Sequence, residues 1–195
     1  MPTCQRPVLP NVSGMARPPK SSNVSRCFVA IFPDPATSEQ LDALAISAQK
    51  AHKGSRRTQR DQLHLTLAFI GPLEEQRANQ VARMLDAIPA DSFFWTLDQV
   101  GGYGRARVLW AGGKEEPRLI ALARMVRGGL DAEAVHYDRR PFSAHVTLLR
   151  NITHVSSFLL SAPIAWHVTR PRLVVSERAT NSDIQYRCWD QRPLR

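Results

Sequence analysis

A tetrapeptide of the form His-apolar-Thr-apolar occurs twice in this chain, as His64-Leu65-Thr66-Leu67 and His145-Val146-Thr147-Leu148, 81 residues apart. The same shift carries Arg26 onto Arg107, Phe28 onto Leu109, Ala30 onto Ala111 and Leu41 onto Leu122. Both halves therefore read strand, helix, histidine strand. The period is longer than that of solenoid repeats and points to two related lobes instead of an array. Residues two apart on a strand share a face, so each copy presents an imidazole beside a hydroxyl, with apolar neighbours buried behind. Set opposite each other around one cleft, two such faces can divide a reaction, one ring taking a proton while the other gives one.

Local signals fill in the elements. Arg26–Phe32 is rich in strand formers. Asp34-Pro35 supplies an N-cap and a first-turn proline for a helix with Leu41, Leu44, Ala45 and Ala48 inward. A basic loop, His52–Arg60, leads to a strand over Leu63–Ile70 that Gly71-Pro72 ends. Glu74-Glu75 open a second helix with Ala78, Val81, Ala82 and Leu85 inward; a third starts near Pro117 with Leu119, Leu122, Val126 and Leu130 inward. Strands are expected at Phe93–Val100, Arg107–Ala111, Phe142–Leu149, Ile164–Val168, Arg172–Ser176 and Ile184–Trp189. Residues 1–24 hold five of the 14 prolines and no acidic residue, which reads as a disordered proline-rich tail ahead of a single domain over 25–195.

The net charge of +9 favours polyanionic partners. Three positive charges belong to residues 1–24, and the remaining +6 is a moderate bias towards nucleic acid. Cys4, Cys27 and Cys188 are odd in number and show no CxxC spacing, so neither a disulfide framework nor a zinc site is expected, and a cytoplasmic location fits. No apolar run has the length of a membrane span, and no secretory signal is expected.

Around the histidines, Thr66 and Thr147 share the imidazole faces and are suited to hydrogen-bonding the oxygens of a phosphate. Arg150 follows the second motif, but strict alternation points it away from the histidine face, so it needs a bend to reach a ligand there. Tyr103, in Gly101-Gly102-Tyr103-Gly104, is an aromatic on a flexible loop, placed either to stack on a base or to pack on its own lobe. That glycine-rich stretch is no P-loop, since no Gly-Lys-Ser/Thr follows. A third His-x-Thr, His167-Val168-Thr169, precedes Arg170-Pro171 and maps at the 81-residue shift onto Asp86, so it is excluded. His52, His136 and His154 lack metal-ligand spacing, and no metal is expected.

These motifs closely resemble those of the two-histidine phosphoesterase superfamily and, within it, the bacterial RNA 2′,3′-cyclic phosphodiesterases, also called 2′-5′ RNA ligases. The resemblance runs from Arg26 to the C-terminus and rests on Arg26–Ile31, His64–Gly71, Arg107–Gly112, Phe142–Arg150 and the Tyr186…Trp189 ending. Ala144 departs from it, standing where the family usually has proline.

The resemblance implies an α+β, bilobal, pseudo-twofold duplicated fold: two antiparallel sheets, helices outside and a central active-site cleft. It implies a hydrolase that opens a terminal RNA 2′,3′-cyclic phosphate to a 2′-phosphate without cofactor or metal, and that joins 2′-5′ ends in reverse. His64 would be the proton donor, His145 the acceptor and Arg150 the phosphate ligand; the residues by themselves leave open which ring is the acid. The expected partners are RNA ends bearing the cyclic phosphate, tRNA fragments being one candidate, for a monomer with no obligate protein partner and no membrane. A small cyclic phosphate such as ADP-ribose 1″,2″-cyclic phosphate is an alternative substrate, and a non-catalytic nucleotide- or RNA-binding module is an alternative class.

Overall fold

The computed structural model describes residues 24–89, 91–178 and 184–189. The expected tail, residues 1–24, lies outside the described residues except for Val24, which opens the first strand. Nine strands and three helices follow: β1 Val24–Ile31, α1 Pro35–Ala51, β2 Arg56–Arg57, β3 Leu65–Glu74, α2 Glu75–Asp86, β4 Phe93–Tyr103, β5 Val108–Gly112, α3 Pro117–Ala132, β6 Val146–Arg150, β7 Phe158–Val168, β8 Arg172–Arg178 and β9 Ile184–Cys188. All pairings are antiparallel.

Helix starts follow local chemistry. Asp34 caps α1 by accepting from the Thr37 backbone N–H at 2.9 Å, and Pro35 opens the first turn. Glu116 and Pro117 do the same for α3, where the Glu116 side chain accepts from Arg118 N. Leu41 and Ala45 of α1, Ala78, Val81 and Leu85 of α2, and Leu119, Leu122, Val126 and Leu130 of α3 are buried in one apolar core shared with the sheet.

The fold is α+β, with helices packed against a large antiparallel sheet. Two separate sheets were expected, but the strands form one sheet, ordered β7-β4-β5-β6-β3-β1-β8-β9 with β2 beside β6. The two histidine strands are central neighbours and meet through one bridged pair, Leu65↔Val146. Past that pair they diverge, and the segment ahead of each crosses to the other strand. Thr58 N donates to Leu148 O at 2.9 Å, and Asp138 N donates to Phe69 O at 2.8 Å.

The strand expected at Ile164–Val168 begins earlier, at Phe158, and the expected basic loop His52–Arg60 contains the short strand β2. Three further differences bear on the site. β3 does not stop at Gly71-Pro72 but runs on to Glu74, pairing Gly71 with Cys27 and Pro72 with Arg26. One edge of β3 has lost its partner there, so proline forfeits no ladder bond. Gly71 adopts φ +89° beside a register shift. Gly101-Gly102-Tyr103 is strand, not flexible loop, and Tyr103 pairs with Val108. The Trp110 ring lies over Gly101, where a Cβ would stand 2.4 Å from Trp110 Cζ2, so glycine is what permits the pairing. Finally, β6 begins at Val146, leaving Phe142–His145 as an extended lead-in.

Candidate active site

The two motifs sit at the centre of the sheet on the face away from the main core, and each imidazole is fixed in the same way. His64 Nδ1 donates to Gln62 O at 2.6 Å, and His145 Nδ1 donates to Ser143 O at 2.8 Å. A carbonyl oxygen only accepts, so Nδ1 carries the hydrogen in both neutral rings and Nε2 is left to exchange a proton. Gln62 and Ser143 are themselves 81 residues apart.

Each ring also has an edge-on tyrosine. Tyr186 of β9 meets His64 at 5.2 Å between centroids and 89°; Tyr103 of β4 meets His145 at 5.3 Å and 87°. Phe28 lies 5.0 Å and Phe32 5.9 Å from His64, while Trp110 lies 6.4 Å from His145. The carbonyl-bearing residues tie in the tyrosine strands: the Gln62 side chain donates to Ile184 O, and the Tyr103 hydroxyl hydrogen-bonds Ser143 Oγ at 2.8 Å.

Thr66 and Thr147 are partly exposed on the histidine faces, opposite Ala30 and Trp110 respectively. The next residue of each strand opens a bulge. Pairing jumps from Thr66 to Ala68 against β1 and from Thr147 to Leu149 against β5, so Leu67-Ala68 and Leu148-Leu149 are each two consecutive buried residues. The extra residue reverses the alternation beyond it. Arg150 thereby returns to the Thr147 face, supplying the bend that alternation alone did not, and Phe69, its equivalent at the 81-residue shift, returns to the Thr66 face and stays exposed. Phe69 also packs on Phe28, 6.1 Å between centroids.

The electrostatics agree with this placement. Burial is the largest cause holding His64 down to about 4; the Gln62 carbonyl opposes it, and the positive charges of Arg150 and His145 add to it. Burial likewise lowers His145 against the opposing Ser143 carbonyl, and Arg150 lowers it further. One guanidinium is thus felt by both rings, and His64 feels His145 across the seam.

His64, His145, Thr66, Thr147, Arg150 and Tyr103 are therefore gathered on one face. His167 is not among them; it packs against Phe94 on β7, the outermost strand. Arg139 and Arg140 pair with Asp131 and Asp138. His52 and His154 stack on each other at 4.3 Å, and among the described residues no group of three or more His, Cys, Asp or Glu could hold a metal ion. No described helix is long and apolar enough to cross a membrane. Sequence reasoning missed Phe69, Trp110, Gln62 and Ser143, although the 81-residue shift would have found Phe69 from Arg150.

A family model described as LigT like Phosphoesterase matches residues 31–110. The RNA 2′,3′-cyclic phosphodiesterase of Escherichia coli (strain K12) is 39% identical over 92 residues, 47% of this chain and 52% of that protein. The match thus spans about half the length of that relative. The RNA 2′,3′-cyclic phosphodiesterase of Archaeoglobus fulgidus is 29% identical over 128 residues, 64% of this chain and 72% of that protein. Among solved structures, that of E. coli LigT complexed with 3′-AMP superposes with a TM-score of 0.75 and 30% identity, covering 85% of this chain and 95% of that one. A structure from Thermus thermophilus gives a TM-score of 0.67 at 26% identity, covering 84% and 94%. With the paired motifs, their matching tautomers and this extent of likeness, the chain belongs to the LigT-like phosphoesterase family.

Proposed function

We propose that this protein hydrolyses the terminal 2′,3′-cyclic phosphate of RNA to a 2′-phosphate. The observation that carries the reading is the pair of imidazoles held in one tautomer by equivalent carbonyls, with the charge of Arg150 acting on both rings. The E. coli and A. fulgidus relatives are RNA 2′,3′-cyclic phosphodiesterases, and their activity is the natural one to carry over.

In the proposed cycle, neutral His145 takes a proton at Nε2 from water as the water oxygen attacks phosphorus. The bond from phosphorus to the ribose 3′-oxygen breaks, and protonated His64 gives that oxygen the Nε2 proton. Thr66 and Thr147 donate hydroxyl hydrogen bonds, and Arg150 a guanidinium, to the nonbridging oxygens as charge accumulates. No chain residue becomes covalently attached, and the histidines end with exchanged protonation states that solvent resets. With a 5′-hydroxyl in place of water, the reverse reaction forms a 2′-5′ linkage.

Free His64 is neutral at pH 7, because burial and Arg150 hold it low. A bound phosphate brings the opposite charge and favours the protonated ring, so the substrate itself arms the acid. Tyr103 and Phe69 form aromatic borders of the cleft beside His145 and Thr66.

The same reading takes residues 25–195 as one bilobal domain duplicated about a pseudo-twofold at Leu65↔Val146, acting as a cytoplasmic monomer without an obligate protein partner. Its support is the 81-residue shift, which relates the bridged pair, both bulges and both histidine carbonyls.

The test is product chemistry. An RNA with a defined 2′,3′-cyclic end, incubated in excess EDTA, is expected to give only a 2′-phosphate. A 3′-phosphate, or no turnover, contradicts the proposal; faster turnover of ADP-ribose 1″,2″-cyclic phosphate shifts it to the smaller substrate.

A further inference from the structure

Arg56 and Arg150 are direct partners across β2 and β6. Strand β2 is only two residues long, but its neighbours fix which way each side chain leaves. Arg57 forms an ion pair with Asp42 of α1 and stands opposite the fully buried Leu149, so it leaves on the helix side. Successive strand residues leave on opposite faces, and Arg56 therefore leaves towards the cleft. Arg150 does the same, because the Leu148-Leu149 bulge has turned it to the Thr147 face.

Two guanidiniums thus stand side by side on the cleft face, with Cβ atoms about 5 Å apart as in any directly opposed antiparallel pair. Like charges in that relation repel. Among the described residues no carboxylate pairs with either one. The fold neutralises the arginine facing the helix and leaves two facing the cleft uncompensated. Such a concentration of positive charge attracts anions from outside the protein.

One anion accounts for Arg150, whose field reaches both imidazoles. It does not account for Arg56, whose exposed side chain stands beside Arg150 on the neighbouring strand β2. We propose that Arg56 is the ligand of a second phosphate, the phosphodiester joining the terminal nucleotide of an RNA to the one before it. The inference rests on the proposed function, in which Arg150 holds the reacting phosphate. It deepens that reading by naming what selects a polynucleotide end over a mononucleotide.

The test compares wild type, Arg56→Ala and Arg56→Lys on a nucleoside 2′,3′-cyclic phosphate and on a dinucleotide ending in the same group. Arg56→Ala is expected to lower kcat/KM for the dinucleotide about tenfold more than for the mononucleotide, through KM. The slope of log kcat/KM against log salt for the dinucleotide should become shallower by about 0.7, one single-strand phosphate contact. Arg56→Lys should keep that slope. An equal effect on both substrates, or none on either, overturns the proposal. Failure of the functional reading shows differently, as a wild type that leaves both substrates intact. In that event calorimetric binding of a dinucleotide with a stable 2′-phosphate end, against a nucleoside 2′-monophosphate, decides on Arg56 alone: the variant must lose affinity selectively for the dinucleotide, and equal losses overturn the second phosphate contact.

Discussion

Leu65 and Val146, the residues that follow the two histidines, face each other as the bridged pair joining β3 to β6. Both are fully buried on the core side. Because strand side chains alternate with a period of two, burying this pair obliges His64 and His145, each one residue earlier, to leave on the opposite face. The two residues stand 81 apart in the chain, the same spacing as the histidines.

If the two rings divide one acid–base cycle, removing either disables it. His64→Ala and His145→Ala are each expected to lower kcat on a cyclic-phosphate-ended RNA by about 10²–10⁴-fold. The double variant should be little worse than either single one, because the groups act as a unit. Steady-state rates in EDTA check this.

The pH dependence follows from the directions of the shifts. In the free protein both rings titrate below the ordinary histidine value, and the profile of kcat/KM reports the free protein. Its bell should therefore centre on the acid side of pH 6.5. A bound phosphate raises the pKa of the ring it touches, so the kcat profile should lie at higher pH. Parallel pH series of both constants read the displacement.

Stability should carry the same signature. The folded pKa of His64 is about 4, below its unfolded value of 6.5. As pH falls through 6.5 the unfolded chain takes the proton first, so stability declines between about 6.5 and 4 and this contribution then levels off. The change is about 3 kcal/mol. Urea unfolding at a series of pH values should show the decline in wild type and a smaller one in His64→Gln.

Trp110 forms the wall beside His145, and it can do so because Gly101 and Gly112 leave room for its ring. Gly101→Ala places a methyl 2.4 Å from Trp110 Cζ2 and must displace the indole. A loss of about 1–3 kcal/mol, with a drop in kcat/KM, is expected from thermal unfolding and kinetics on the same preparation.

Much of this was legible in the chain. Caps and first-turn prolines act within four residues, so α1 and α3 start where Asp34-Pro35 and Pro117 indicate. The motif spacing disclosed the paired histidines because each lies just ahead of its own strand, and those strands are neighbours in the sheet. Features set by distant pairing were hidden. The bulges that turn Arg150 and Phe69 to the site appear only in the register of β6 on β5 and of β3 on β1. Gly101-Gly102 looked like loop because the ring that lies over it belongs to the neighbouring strand. One sheet replaced two because a single bridged pair, which no periodicity reveals, spans the seam.

The most direct test of two rings meeting over one phosphate is imidazole ¹⁵N NMR during titration with a nucleoside 2′-monophosphate. The account predicts that the Nε2 signals of His64 and His145 move together, with one dissociation constant and one ligand per chain, while both Nδ1 remain protonated. Movement of only one ring, or of the two with separate dissociation constants, would contradict it.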